Sequence, residues 1–142
     1  MNRPRIDHIG LVVADLDAAV ERLRPVFGDD VSYKDLPQYE LRTAIFHTAN
    51  LAIELLQYTG EAAFARGVMG SRLGLNHVSA EVADAEVSIA ALRERGFTVQ
   101  DGFPADGVHG RVAFFEPDDV TGLLFEICQP FAATDTEADA AG

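Results

Sequence analysis

The sequence has few basic residues and almost no cysteine. Its 142 residues include 11 Lys or Arg, of which one is a lysine, against 23 Asp or Glu, and the formal net charge is −12. Nucleic acids and anionic membrane surfaces attract basic proteins, so we expect neither to be the main partner. The single cysteine, Cys128, excludes an internal disulfide and is typical of a reducing compartment.

Long hydrophobic runs are also missing. No run approaches the roughly 18 apolar residues that a membrane-spanning helix needs, and the first residues lack the apolar core of a secretory signal. The sequence therefore predicts a cytoplasmic protein without a membrane partner. A hydrophobic fraction of 48% is still ordinary for a globular protein, and we assign residues 1–130 to a single domain. Residues 131–142 are small and acidic, which predicts a disordered tail.

An internal repeat is the main positive feature of the sequence. The segment DHIGLVVADLDAAVERLRPVFG (7–28) is matched by NHVSAEVADAEVSIAALRERGF (76–97). His8 and His77 stand at matching positions, 69 residues apart. Two copies are too few for a solenoid, so the repeat predicts a duplicated unit whose copies pair with each other.

The repeat continues into a pair of glutamates. LAIELLQ (51–57) matches LLFEICQ (123–129) at an offset of 72, because the second copy carries three extra residues. Glu54 therefore corresponds to Glu126. Each copy contributes one histidine and one glutamate, and a duplicated fold would bring the four residues to its centre.

Hydrophobic periodicity predicts the order strand, helix, strand, strand, strand in each copy, over about residues 5–58 and 74–129. The helices are expected to begin after the N-cap residues Asp15 and Asp84. We therefore predict an α+β fold in which two βαβββ modules, related by pseudo-two-fold symmetry, form a curved mixed sheet around a central pocket. The predicted strands are Ile6–Val13, Val31–Leu36, Glu40–Thr48, Leu51–Tyr58, Asn76–Val82, Phe97–Gln100, Arg111–Glu116 and Leu123–Cys128.

Side chains alternate between the two faces of a strand, and this alternation separates the four candidate residues from the apolar ones. Both histidines and both glutamates fall on one face, together with the small residues Gly10 and Ser79. The opposite face is apolar and is expected to pack on the two helices. Its predicted members are Ile9, Leu11, Val13, Ile53, Leu55, Val78, Ala80, Val82, Phe125 and Ile127.

Four converging His and Glu side chains are typical of a metal site. Two bare carboxylates would repel each other in a pocket, and one of them would take up a proton. A divalent cation removes this conflict, because two carboxylates and two neutral imidazoles balance its charge. Mixed nitrogen and oxygen ligands suit Co, Zn, Ni, Mn or Fe alike. We therefore predict one divalent metal ion in the central pocket, with room for a chelating small-molecule substrate.

The other candidate residues have simpler interpretations. His47 corresponds to Glu116 rather than to a histidine, so we expect it on the surface. His109 lies in a GVHGR loop, where contact with a ligand is a minority interpretation. Cys128 shares the parity of Glu126, but inert packing is the expected role of a lone cysteine.

The motifs DHIGLVVADLDAA, AIELLQ, LNHVSAEV and HGRVAFFEPDDVTGLLFEICQ resemble the vicinal oxygen chelate superfamily, which includes glyoxalases and bleomycin-resistance proteins. Within it, the chain looks most like the methylmalonyl-CoA epimerases. The resemblance covers about residues 5–130. It implies paired βαβββ modules, a homodimer, an acyl-CoA substrate, and a metal ion bound by residues at four positions: His8, Glu54, His77 and Glu126.

One position departs from the epimerase pattern. The resemblance calls for a second carboxylate base at the start of the strand that precedes AIELL, and an ungapped match puts Gln38 there. An amide cannot take up a proton. Glu40 lies two residues further on and becomes the candidate for this base. Without it, a related isomerase or a one-base reaction would be expected.

The reaction implied by the resemblance is epimerisation by removal of an α-proton, with the metal stabilising the enolate. Glu126 and Glu40 would move the proton on the two sides of the α-carbon. Basic residues at the rim of the pocket are candidates for binding a CoA group. They are Arg42, Arg66, Arg72 and Arg111, each of which could equally be an ordinary surface charge.

Three other functions use the same architecture. A glyoxalase I-type lyase would need the same metal and would act on a thiohemiacetal of glutathione. A dioxygenase would need Fe(II), typically with three protein ligands, so four candidate ligands argue against it. A non-catalytic small-molecule-binding or resistance protein would not need the His and Glu set, so its metal content would distinguish it.

Overall fold

The computed structural model describes residues 3–132 of the chain, which divide into two compact units. The N-terminal unit is Ile6–Ser79, and the C-terminal unit consists of residues 80–132 together with residues 3–5. Most of the predicted acidic tail, residues 133–142, lies outside the described residues. The assignment of one domain to residues 1–130 stays a prediction.

The N-terminal unit contains a mixed sheet with the strand order β2-β3-β4-β1-β5. Strand β1 runs parallel to β4, whereas β2 with β3 and β3 with β4 are antiparallel pairs. The last two residues of β5 belong to the C-terminal unit. The elements are β1 (Ile6–Val12), α1 (Leu16–Phe27), β2 (Val31–Leu36), a 3₁₀ turn (Pro37–Tyr39), β3 (Leu41–His47), β4 (Ala52–Tyr58), α2 (Ala63–Met69) and β5 (Gly74–Glu81).

The C-terminal unit repeats the arrangement with shorter strands. Its helix is α3 (Ala85–Glu94), and its strands are β6 (Ala105–Asp106), β7 (Gly110–Phe114) and β8 (Phe125–Pro130), in the order β8-β7-β6. Both of its strand pairs are antiparallel. The predicted α+β class and the βαβββ order are therefore confirmed in both copies. None of the helices within residues 3–132 is long and apolar enough to cross a membrane.

The predicted strand at residues 97–100 is wrong. In this segment Val99 forms one isolated bridge with Phe115, and the sixth strand lies further on, at Ala105–Asp106. The sequence between them contains a turn at Asp101 and Gly102 and then Pro104, whose nitrogen has no hydrogen to donate. A continuous ladder cannot pass through such a segment, so hydrophobic pattern alone placed the strand too early.

The two helices of the repeat, α1 and α3, begin at matching, doubly capped positions. Asp15 accepts a hydrogen bond from the Ala18 amide at 3.1 Å, and Asp84 accepts one from Val87 at the same distance. In addition, a glutamine on a later strand of the same copy accepts a hydrogen bond from the first amide of α1 and of α3. Gln57 bonds to Leu16 N at 2.8 Å, and Gln129 bonds to Ala85 N at 2.9 Å. The duplication therefore includes the polar contacts that fix each helix on its own sheet.

The apolar faces of β1, β4 and β8 pack on these helices as predicted, whereas Val78 and Ala80 of β5 belong to neither core cluster. In the N-terminal unit, Leu16 and Val20 of α1 pack with buried residues of β3 and β4, and with Ile9, Leu11 and Val13. The buried members of that cluster from β3 and β4 are Ala44, Phe46, Ile53 and Leu55. In the C-terminal unit the corresponding cluster consists of Ile89, Ala113, Phe115 and Ile127. Burial of these faces leaves the opposite face of each sheet for the candidate residues.

Candidate metal centre

Three of the predicted ligands converge in the N-terminal unit. One ligand atom each of His8, Glu54 and His77 lies within 4.8 Å of the other two. All three side chains are buried, with 1%, 5% and 3% of their surface exposed. The parallel register of β1 and β4 accounts for part of this arrangement, because Gly10 is the Cα partner of Glu54 and lies two residues after His8. Residues two apart on a strand share a face.

The distances are wider than hydrogen bonds and fit ligands around an ion. The Nε2 atom of His8 lies 4.0 Å from Glu54 Oε1, which exceeds the hydrogen-bonding range. Two ligands of one ion with bonds of roughly 2.1 Å would be separated by at most about 4.2 Å. The imidazole rings of His8 and His77 lie 5.5 Å apart at 86° to each other. The rings therefore approach one point from different directions.

Both imidazoles are oriented through their Nδ1 atoms by the preceding residue. His8 Nδ1 lies 2.7 Å from Asp7 Oδ2, and His77 Nδ1 lies 2.7 Å from Asn76 Oδ1. The Asn76 amide is itself fixed, because its Nδ2 donates to the carbonyl oxygen of Met69 at 2.7 Å. An ionised carboxylate and an amide oxygen can only accept, so each Nδ1 carries the hydrogen. In a neutral imidazole with this tautomer, Nε2 keeps its lone pair and could bind a metal ion.

This arrangement fits a divalent cation. Histidine ligands in metal sites commonly donate their second ring nitrogen to a carboxylate or carbonyl group, which fixes the tautomer. His8 and His77 do this at equivalent places in the repeat, and Glu54 supplies a carboxylate oxygen. Two neutral imidazoles and one carboxylate make a donor set that suits Zn, Co, Ni, Mn or Fe and does not choose among them.

Gly10 is the residue that makes room for His77. A Cβ atom built on Gly10 would lie 2.2 Å from His77 Cε1 and 2.6 Å from its Nε2. Real Cβ atoms do not approach other atoms so closely, so any larger residue would displace the imidazole. The glycine is therefore part of the site, although it offers no ligand atom.

We expect Gly10→Ala to weaken metal binding by at least about tenfold, because the His77 ring must move away from its ligand position. Isothermal titration with Co²⁺ measures the effect. Gly67→Ala is the matched control, since a Cβ there would meet no atom within 4 Å. Equal affinities of Gly10→Ala and the control would mean that His77 does not bind the ion from this position.

Glu126 lies on β8 in the C-terminal unit and is 5% exposed. Its cross-strand neighbour is Phe114, while Phe125 and Ile127, on either side of it, pack in the core under α3. The predicted separation of faces is thus confirmed for β8, where the carboxylate faces away from the helix. Its assignment as the fourth ligand stays a prediction.

Glu40 occupies an unusual backbone conformation. It follows the 3₁₀ turn that contains Gln38, and its φ of 51° and ψ of 49° lie in the left-handed region that non-glycine residues rarely adopt. Its Oε2 atom accepts a hydrogen bond from the Ala62 amide at 2.7 Å, at the start of α2. A Cβ on Gly60 would approach its Oε1 to 2.6 Å. The carboxylate is thus fastened to the connector before α2, and its role as a base stays a prediction.

The remaining candidates occupy ordinary positions. His47 is exposed and bonds to Ser32 Oγ at 2.8 Å, as expected for a surface histidine. Cys128 is buried, as expected for inert packing. Arg42 and Arg111 form ion pairs with neighbouring acidic side chains, at 3.3 Å in each case.

Arg66 makes a more specific contact. Its guanidinium carbon lies 4.3 Å from the centre of the Tyr58 ring, and its Nε donates to the Glu61 carbonyl oxygen at 2.9 Å. Burial raises the pKa of the Tyr58 hydroxyl, and the positive charge of Arg66 partly opposes this shift. Arg66 therefore helps to hold α2 and the residues just before it against Tyr58 of β4.

The sequence pattern indicates no role for Asp7 or Asn76, and it places Gly10 only on the same face as the candidate residues. One signal was available, because a residue with a side-chain oxygen precedes the histidine in both copies, in the pairs Asp-His and Asn-His. The close approach of Gly10 to His77 could not be found in the same way. It depends on strand register, which the sequence pattern does not specify.

The chain is similar to known epimerases over most of its length. The chain is 32% identical to an ethylmalonyl-CoA/methylmalonyl-CoA epimerase of Cereibacter sphaeroides, a match that covers 88% of this chain and 97% of that protein. It is 28% identical to the mitochondrial methylmalonyl-CoA epimerase of Bos taurus, over 90% of this chain and 75% of the relative.

Solved structures of the same enzyme class share the fold. A methylmalonyl-CoA epimerase in complex with methylmalonyl-CoA and NH4+ superposes with a TM-score of 0.75 at 30% identity, covering 92% of this chain and 97% of that chain. A variant of the Streptomyces coelicolor methylmalonyl-CoA epimerase in complex with 2-nitronate-propionyl-CoA gives the same TM-score and identity, covering 92% of this chain and all of that one. Residues 7–115 match the family described as the glyoxalase/bleomycin resistance protein/dioxygenase superfamily, and the chain belongs to that superfamily.

Proposed function

We propose that the protein is a divalent-metal-dependent epimerase of an acyl-CoA such as methylmalonyl-CoA, acting by removal and return of the α-proton. The buried group of His8, Glu54 and His77 supports the proposal, because these side chains could hold a metal ion and stand at positions that the epimerase resemblance implies for ligands. The similarity to methylmalonyl-CoA epimerases over most of the chain supports the substrate class. A cytoplasmic homodimer is part of the same proposal and rests on the resemblance and on composition.

Four residues of this chain would hold the ion. His8, His77 and Glu54 are described above, and Glu126 is the repeat counterpart of Glu54. A divalent cation bound there polarises a substrate carbonyl and stabilises the negative charge that develops when the α-proton leaves. The Nδ1–H bonds to Asp7 and Asn76 hold the two imidazoles in place, so little reorganisation is needed when substrate binds.

The proton transfer would be carried out by carboxylates. Glu126 would take the α-proton on one side of the α-carbon, and Glu40 would return a proton on the other side. Transfer at one side alone would exchange the proton without inverting the carbon.

The test is a comparison of two substrates in D₂O. With stoichiometric Co²⁺, we expect the protein to interconvert the epimers of methylmalonyl-CoA and to introduce deuterium at the α-carbon. Methylglyoxal with glutathione should give no product. Conversion of that pair without exchange of methylmalonyl-CoA would favour the glyoxalase I-type lyase instead. A purified chain that binds no metal and responds to no chelator would favour a non-catalytic binding protein.

Glu40→Gln separates the two-base reaction from the one-base reaction. We expect epimer interconversion to fall about 100-fold, because the amide cannot supply a proton, while deuterium exchange at one epimer continues through Glu126. Proton NMR of methylmalonyl-CoA in D₂O follows both processes. Glu61→Gln, an exposed carboxylate in the same connector, is the control. Unchanged interconversion in Glu40→Gln would limit Glu40 to fastening the connector.

A further inference from the structure

Ser79 is a buried polar residue that the proposed function leaves without a role. Its side chain is 0% exposed, and its Oγ atom has no hydrogen-bond partner among the residues that the structure describes. Buried hydroxyl groups in folded proteins nearly always have a partner. A hydroxyl that the protein itself does not satisfy is therefore a candidate for binding a ligand.

The strand places this hydroxyl beside the metal ligands. Ser79 lies two residues after His77 on β5, so both side chains lie on the same face of the strand. His77 in turn lies in the group with His8 and Glu54. The hydroxyl therefore lies on the same face of the strand as the proposed ligand His77.

The repeat shows that the hydroxyl is not required by the fold. The matching position in the first copy is Gly10, which has no side chain and lies against the His77 ring. The two copies therefore differ at this position, two residues after each histidine. The difference supplies a hydroxyl donor two residues after His77 and none at the matching place after His8.

We propose that the Ser79 hydroxyl donates a hydrogen bond to a carboxylate or carbonyl oxygen of the bound acyl substrate. The inference rests on the proposed function, since it assumes an oxygen-rich acyl group next to the metal ligands. A donor on one side only would orient an asymmetric substrate, which has a thioester at one end and a carboxylate at the other. Ser79 is thus assigned as a substrate-positioning residue.

Ser79→Ala tests the assignment, with isothermal titration of Co²⁺ alone and of methylmalonyl-CoA to the Co²⁺-saturated protein. We expect the variant to keep its melting temperature without ligand, because no protein hydrogen bond is lost. Its affinity for Co²⁺ should stay within about twofold, whereas its affinity for methylmalonyl-CoA should fall about tenfold or more, as for a hydrogen bond to a charged group. Ser32→Ala, which removes an exposed hydroxyl of the same unit, should change neither affinity.

Each other outcome overturns the assignment in a recognisable way. Unchanged methylmalonyl-CoA affinity in Ser79→Ala, with the wild type binding normally, overturns this inference and leaves the proposed function standing. A lower melting temperature with unchanged binding identifies a structural hydroxyl. An equal loss of Co²⁺ affinity shows that Ser79 acts on the metal rather than on the substrate. A wild type that binds Co²⁺ but no methylmalonyl-CoA overturns the proposed substrate, and the inference with it.

Discussion

Replacement of Glu126 by glutamine is expected to reduce deuterium exchange at the α-carbon by at least about 100-fold in the epimer of methylmalonyl-CoA whose α-proton Glu126 would take, which is the usual contribution of a general base. The side chain keeps its shape and an oxygen atom but loses the ability to take up a proton. Because β8 buries Glu126 on the face away from α3, the change should leave the core of the C-terminal unit intact. NMR in D₂O measures the exchange.

Metal content must be measured on the same samples, because Glu126 is proposed both as a ligand and as a base. Exchange lost with the metal retained assigns the base role. Exchange and metal lost together assign Glu126 to the ligand set and leave the base unidentified. Glu116→Gln, an exposed carboxylate of the same unit, should exchange at the wild-type rate. Undiminished exchange in Glu126→Gln would remove the catalytic assignment.

The repeat made much of the fold predictable from the sequence. Alternation of apolar residues on β1 and β4 identified the face that packs on α1, and the duplication transferred the same reasoning to β8. Caps at Asp15 and Asp84 located both helix starts. These features are local, so the hydrophobic pattern and the N-cap preferences of single residues are enough to predict them. The strand expected at residues 97–100 failed because turn residues and Pro104, rather than apolar content, decide where pairing resumes.

The site was predictable to the extent that it depends on strand parity. His8, Glu54 and His77 share a face by alternation, and the structure brings their ligand atoms together. Alternation does not predict the contacts that surround the site. The hydrogen bond of Glu40 to Ala62 depends on a connector of irregular structure, whose path has no periodic signal. The contact of Gly10 with His77 depends on the register between strands far apart in sequence.

The largest effect on metal binding is expected from His77→Ala. Loss of a direct metal ligand should weaken Co²⁺ binding by more than about 100-fold. Changing only the hydrogen-bond partner of a ligand commonly lowers metal affinity by about 10–100-fold. The Co²⁺ affinity of Asn76→Ala should therefore lie between those of the wild type and His77→Ala, because Asn76 Oδ1 accepts the hydrogen bond that orients the His77 ring. Isothermal titration gives the three affinities directly.

Thermal unfolding provides an independent measurement of the same series. A ligand that binds only the folded state stabilises it by about 2.7 kcal/mol at a concentration 100 times its Kd. At a fixed Co²⁺ concentration, the rise in melting temperature should be large for the wild type, smaller for Asn76→Ala and absent for His77→Ala. His47→Ala should behave as the wild type, because that histidine is exposed and bonded to Ser32. Equal stabilisation of all four proteins would show that the ion binds away from His77, and the metal centre proposed for this chain would then be wrong.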